Sequence, residues 1–111
     1  MSHFRAFEVE ALRHLVEPEL GREFVDALIR EAELVSLDFS GCGYFLTVRH
    51  PALPAKRTVF HEPKVIGRAG NIEGDFIAFV EDGELMLEYA SLGASDVKND
   101  FRDLDVNVSA T

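Results

Sequence analysis

Hydrophobic residues in the first third of the chain recur at three- and four-residue steps. In residues 2–16 this spacing predicts a helix capped by Ser2, although a strand beginning near Phe4 fits the same residues. Pro18 then interrupts the pattern, and proline is tolerated in a first helical turn. Residues 20–33 place apolar side chains on one face and charged side chains on the other, which predicts a second helix.

From residue 34 onward the spacing changes to alternation, which is typical of strands with one buried face. The strand candidates are residues 35–40, 44–48, 58–60, 65–66 and 104–108, and a turn is expected at residues 67–71. The clearest element is a hairpin of residues 76–81 and 84–90, because Asp82-Gly83 is a preferred pair for a type I′ turn.

These elements predict one α+β domain over residues 1–111, with two N-terminal helices packed on an antiparallel sheet of five or six strands. Residues 44–48, 76–80 and 85–90 are apolar on both faces, whereas two helices cover only one face. The second face then has to be covered by strong curling of the sheet, up to a closed barrel, or by another chain. We expect a homodimer, since twofold pairs are the commonest assemblies of soluble proteins.

The chain carries a net charge of −9, and its bases are concentrated in the middle. Residues 34–74 contain five bases and three acids, whereas residues 75–111 contain nine acids and two bases. Because acidic surfaces repel a phosphate backbone, the composition argues against a nucleic-acid partner.

Three features favour a cytoplasmic protein that has no membrane partner. The longest apolar runs, such as residues 76–80, are far shorter than the roughly 20 residues of a membrane span. Residues 1–10 lack the apolar stretch of a signal peptide. Cys42 is the only cysteine, so no internal disulfide can form.

No motif in the chain identifies an enzyme, a metal site or a cofactor site. Zinc ligands usually come in close pairs, whereas Cys42, His50 and His61 stand apart in the sequence. The Gly41-Cys42-Gly43 stretch precedes a predicted strand, whereas a nucleophile elbow or a dinucleotide site needs a helix there. Cys42 could act as a nucleophile with either histidine as its base, but nothing in the sequence selects that pairing. We therefore predict no catalytic residue, no metal and no cofactor.

The sequence singles out two sets of charged residues, the first as a candidate ligand-binding site and the second as a candidate buried charge. An anion pocket could be lined by the bases and histidines of residues 49–68, namely Arg49, His50, Arg57, His61, Lys64 and Arg68. Glu88 is the second candidate, because it interrupts an otherwise apolar strand, and a buried carboxylate must find a partner or shift its pKa. We expect Glu88 to pair with an arginine or a backbone donor.

Two stretches of the chain resemble a group of small bacterial proteins of unknown function. Residues 39–45 correspond to an F-x-G-x-G-F-like stretch of that group, and residues 74–88 to a G-x-G-F-x-x-F-x-x-D-G-x-hydrophobic-x-x-L-E-like stretch. The chain differs by having Asp75 in place of a second small residue and by lacking a tryptophan near its end. The resemblance implies a single α+β domain and supplies no activity.

Two functions compete on these grounds. The first is a non-enzymatic interaction or small-ligand-binding protein, such as an acidic antagonist of a basic protein partner, whose association an acidic surface would accelerate. The alternative is a small enzyme or sensor with a pocket for a small anionic ligand at the bases of residues 49–68. Bases gathered at one concave site would favour the pocket, and scattered exposed bases would favour the interaction protein.

Overall fold

A computed structural model describes residues 2–93 and 96–111 as three helices followed by six strands. The helices are α1 (Ala6–Leu15), α2 (Glu17–Leu20) and α3 (Arg22–Glu31). The strands are β1 (Glu33–Phe39), β2 (Gly43–Arg49), β3 (Thr58–Ala69), β4 (Ile72–Glu81), β5 (Glu84–Ser91) and β6 (Asn107–Ala110), and a 3-10 turn at Phe101–Asp103 precedes β6. The predicted α+β class is confirmed.

The N-terminal helices differ from the prediction in where they begin and break. Helix α1 begins at Ala6, where the Glu8 carboxylate accepts a hydrogen bond from the backbone N–H of Arg5 at 2.7 Å. The second predicted helix is interrupted at Gly21, whose φ of 95° suits glycine and ends the short α2 before α3 begins. The helical spacing correctly predicts helices in this part of the chain, but it does not predict the break between α2 and α3.

All strand pairs in the sheet are antiparallel, in the order β1-β2-β5-β4-β3-β6. Strands β1 and β6 lie at opposite edges, so the sheet is open and the closed-barrel alternative is wrong. The predicted hairpin is confirmed as β4 and β5, with positive φ angles of 52° at Asp82 and 78° at Gly83.

Strand β3 is longer than predicted. Its pairing with β4 is irregular between Phe60 and Val65 but resumes beyond, so the two short candidates form one strand. The turn predicted at residues 67–71 is confirmed only at residues 70–71, because the strand continues to Ala69. Strand β6 begins at Asn107, three residues after the predicted start.

The inner face of the sheet forms an aromatic core with helix α1 and the 3-10 turn. The ring of Tyr89 lies 4.6 Å from that of Phe101 and 4.9 Å from that of Phe76, measured between centroids. Gly74 leaves room for this packing, since a Cβ at that position would lie 2.5 Å from Tyr89 Cζ and 2.6 Å from a backbone oxygen. The Tyr89 hydroxyl donates to the carbonyl of Gly67 at 2.9 Å. Glycines on the neighbouring strands β3 and β4 therefore position the Tyr89 side chain, Gly74 by leaving space for the ring and Gly67 by accepting its hydrogen bond.

A buried ion pair lies beside these rings. Glu8 is fully buried, and its carboxylate accepts hydrogen bonds from Arg102 Nε and Nη2, both at 2.8 Å. The hydroxyl of Tyr44 donates to the same carboxylate at 2.5 Å, and Arg102 also donates to the backbone carbonyl of His3 at 2.7 Å. Burial, followed by the charge of Glu8, raises the pKa of Tyr44, so Tyr44 stays a donor. The buried Glu8 carboxylate thus receives its hydrogen bonds from protein donors and needs none from water.

Candidate binding surface

The outer face of the sheet carries apolar side chains that remain partly exposed. Strand register places Thr47, Met86 and Phe79 side by side in one row. A neighbouring row contains Phe45, Glu88 and Ile77. We call this surface the open face, made of Phe45, Thr47, Val59, Asp75, Ile77, Phe79, Met86 and Glu88. None of these residues belongs to the hydrophobic core, which is built from the inner side chains and the helices.

Two carboxylates lie within this apolar surface. Glu88 stands at its centre, paired across the strands with Phe45 on one side and Ile77 on the other. Asp75 precedes Ile77 by two residues on the same face, so it lies diagonally from Glu88. Desolvation raises the pKa of Glu88, and the negative charge of Asp75 raises it further. Glu88 is half-buried, between the solvated and the fully buried extremes.

The expected pairing of Glu88 with an arginine or a backbone donor is wrong. Within residues 2–93 and 96–111, no hydrogen bond or ion pair reaches Glu88, and no cation lies within 4.0 Å of its carboxylate. The arginines at the two ends of the open face have other partners. Arg49 donates to Glu84 at 2.8 Å, and Arg68 donates to Glu73. The two arginines at the ends of the open face are thus neutralised by glutamates, whereas the carboxylates at its centre have no cation among the described residues.

Because no cation among the described residues pairs with Glu88, removal of its charge should stabilise the fold, whereas removal of the charge from a paired Glu88 would lower stability. A carboxyl group whose pKa is raised by folding destabilises the fold when ionised, and that cost disappears as pH falls through the raised pKa towards the ordinary value of 4.5. We expect Glu88→Gln to raise the free energy of unfolding at pH 7 by less than about 1 kcal/mol, because the group is partly solvated. Urea melts at pH 7 and pH 4 measure the effect, and the difference from the natural protein should vanish at pH 4.

Glu84→Gln is the matched control for this measurement. It removes a carboxylate of the same strand that is paired with Arg49, so it should lower stability slightly at pH 7. A loss of several kcal/mol in Glu88→Gln would mean that Glu88 has a buried partner after all.

Asp75 was not singled out from the sequence, although a signal for it exists. Asp75, Ile77 and Phe79 alternate along β4, so they share one face of the sheet. A polar residue in register with two apolar residues marks a charge within an apolar surface. Asp75 precedes the predicted strand of residues 76–81 and so lies outside it, whereas Glu88 lies within the apolar strand of residues 84–90.

His50 is buried, with 6% of its surface exposed, and both of its ring nitrogens are engaged. Nδ1 accepts a hydrogen bond from the backbone N–H of Ala52 at 3.1 Å, so the neutral ring carries its proton on Nε2. Nε2 lies 2.9 Å from the Glu31 carboxylate, and this hydrogen bond lowers the pKa of Glu31. The ring holds the loop after β2 and has no nitrogen left for a substrate.

Arg49 and His50 share a cleft of about 280 Å³ at the end of the sheet. Three carboxylates also line this cleft, those of Glu31, Glu33 and Asp82. An anion placed there would meet more negative charge than positive charge.

The remaining predicted bases lie elsewhere. Arg57, His61 and Lys64 are exposed, and His61 lines a separate cleft of about 460 Å³ between α2 and β3. Strand β3 is separated from the strand of Arg49 by β5 and β4, a distance of about 14 Å at the usual strand spacing. Arg68 stands near the far end of β3, in its ion pair. The fold therefore does not bring the six residues together in one site.

Cys42 lies in an exposed turn, with its Sγ 3.8 Å from Ser40 Oγ. Within the part of the chain that the structure describes, no three histidine, cysteine or acidic side chains are grouped closely enough to hold a metal ion.

No protein-family model, curated protein or solved structure matches this chain. The resemblance to small bacterial proteins of unknown function stays an expectation. None of the described helices has the length and apolar character needed to cross a bilayer.

Proposed function

We propose that this protein is a non-enzymatic interaction protein that binds a basic protein partner through the open face. The observation that carries the proposal is the combination of half-buried apolar side chains with two carboxylates that have no partner among the described residues. The cytoplasm, indicated by the single cysteine, is where we propose that it acts.

The shape of the open face supports a protein partner over a small ligand. Its side chains span strands β2, β5, β4 and β3, a width of about 14 Å from the first strand to the last. Protein interfaces combine a central apolar area with charged groups at the margin. The open face has this arrangement, since the ion pairs of Arg49 with Glu84 and of Arg68 with Glu73 lie at its two ends.

The charge of the open face supports a basic partner. The chain carries a net charge of −9, and such a surface accelerates association with a positively charged protein. A homodimer formed face to face through the open face, the assembly that the sequence predicts, would place Asp75 and Glu88 of both copies in one interface. Like charges in a partly desolvated interface oppose each other, so the two carboxylates weigh against self-pairing at neutral pH. By covering a basic surface, the protein would act as an antagonist of that partner.

A variant of the open face tests the proposal. Phe79→Lys places a positive charge on this surface, and Val35→Lys is the matched control, since Val35 is exposed on the edge strand β1. The three proteins are used to capture partners from the cells that make the natural one, and each captured protein is then purified and its affinity measured by calorimetry. We expect a basic partner that binds at least about 30-fold more weakly to Phe79→Lys, the effect of losing a central contact. Val35→Lys should bind normally.

Three outcomes would overturn the proposal. One is that Phe79→Lys binds every captured protein as tightly as the natural chain does, and another is that the lost partner is acidic. The third is a mass of twice 12.4 kDa in light scattering that Phe79→Lys returns to 12.4 kDa, which would give the open face to a second copy. Urea melts of both variants verify that they are folded.

A further inference from the structure

We propose that the open face recognises an arginine side chain at the centre of its partner's interface, with Glu88 and Asp75 accepting its hydrogen bonds and Phe45 stacking on its plane. This inference rests on the proposed function and names the chemical group through which the partner would be recognised.

The argument begins with what a partner would do to the two carboxylates. Glu88 and Asp75 are half-buried before anything binds, and no described residue neutralises them. An apolar surface laid over Phe45, Ile77 and Glu88 would remove the remaining water and leave a buried charge unpaired, which is strongly unfavourable. A partner that covers this surface at neutral pH is therefore favoured if it brings a cation to its centre, since the alternative is to protonate the carboxylate.

The cations of residues 2–93 and 96–111 do not fill that position. Arg49 and Arg68 are the cations of the sheet nearest to the open face by register, and each is held by a carboxylate at an end of it. Moving either arginine to Glu88 would leave Glu84 or Glu73 without its partner. Among the described residues no cation is left for the centre of the open face, so we place the positive charge on the partner.

The geometry favours a guanidinium group over an ammonium group. Glu88 and Asp75 stand on neighbouring strands in diagonal positions, so their oxygens are spread across the surface. A guanidinium group presents five N–H donors in one plane and can serve both carboxylates, whereas an ammonium group is a compact and strongly hydrated point charge. Phe45 is paired directly with Glu88 across the strands, and a guanidinium plane stacks on aromatic rings while it forms its hydrogen bonds.

Three capped tripeptides serve as probes, with arginine, lysine or citrulline between two leucines. Citrulline has nearly the shape of arginine without its charge. Binding is followed by the NMR shifts of Phe45, Ile77 and Glu88 during titration. We expect the arginine peptide to bind at the open face about 10-fold more tightly than the citrulline peptide, with the lysine peptide between them. Its affinity should rise as pH rises through the pKa of Glu88, because only the ionised carboxylate pairs with the guanidinium group.

Variants of two carboxylates complete the test. Glu88→Gln should weaken the arginine peptide about 10-fold and abolish its pH dependence, whereas Glu10→Gln, at an exposed position of helix α1 outside the open face, should leave both unchanged. Equal affinity for the arginine and citrulline peptides at the open face would overturn the arginine assignment and leave the binding surface in place. The assignment also fails if the arginine peptide shifts only residues outside the open face, or none at millimolar concentration. The proposed function is judged separately, by the Phe79→Lys capture experiment.

Discussion

Replacing Arg102 by methionine is expected to lower the free energy of unfolding by about 3–5 kcal/mol. The substitution removes the cation from a carboxylate that is fully buried, that of Glu8. The hydroxyl of Tyr44 and the backbone N–H of Arg5 would remain as donors, but neither carries a positive charge. An unpaired charge in an apolar core costs far more than a lost surface contact.

Arg49→Met is the matched control for this prediction. Arg49 also pairs with a glutamate at 2.8 Å, but its side chain is 57% exposed, so its loss should cost less than about 1 kcal/mol. Urea melts of both variants measure the difference. The double variant Glu8→Gln with Arg102→Met should recover part of the loss, because it removes the unpaired charge. Similar losses for Arg102→Met and Arg49→Met would show that burial does not set the strength of the inner pair.

Gly74→Ala should produce the second large effect, a loss of about 3 kcal/mol in the free energy of unfolding. A Cβ at this position would lie 2.5 Å from the Tyr89 ring and 2.6 Å from the backbone oxygen of Ala90, and both distances are far below normal contact. The backbone oxygen belongs to a paired strand and cannot move without disturbing the pairing of β4 with β5. Thermal or urea unfolding monitored by circular dichroism measures the loss.

Gly70→Ala separates this collision from the general cost of replacing a glycine. Gly70 lies in the turn between β3 and β4 with a φ of 60°, and nothing lies within 4 Å of the Cβ that alanine would add. Its replacement should cost only about 1 kcal/mol, the strain of the left-handed conformation. If Gly74→Ala costs no more than Gly70→Ala, the packing of Tyr89 is looser than its distances imply.

Local patterns along the chain predicted most of the elements but not all of their limits. The Asp82-Gly83 pair fixes the β4–β5 hairpin, because a two-residue turn demands positive φ at both positions. The sequence predicts a turn at Gly67, but the residue lies within β3, where the Phe76 ring takes the space of a side chain. A glycine in a turn and a glycine beneath a ring look alike in the local sequence, since the ring belongs to the paired strand β4 and reaches Gly67 only once the two strands are in register.

The candidate binding surface could be predicted only in part from the sequence. Glu88 could be singled out because it interrupts an apolar strand, and the second apolar face of the sheet followed from strands that are apolar on both sides. The lack of a partner for Glu88 could not be predicted, because it depends on Arg49 and Arg68 being engaged by glutamates of neighbouring strands. The same limit applies to Glu8 and Arg102, which are 94 residues apart.

That separation also bears on the order in which the chain folds. The β3–β4 and β4–β5 hairpins close through short turns, whereas Glu8 and Arg102 meet only after a loop of 94 residues has been closed. Because the entropy of loop closure has to be lost before distant contacts can form, the hairpins are expected to assemble early and the Glu8–Arg102 contact late. Interactions that form after the transition state slow unfolding more than they accelerate folding. The buried ion pair is therefore expected to act mainly on the unfolding rate, and so on the lifetime of the native state.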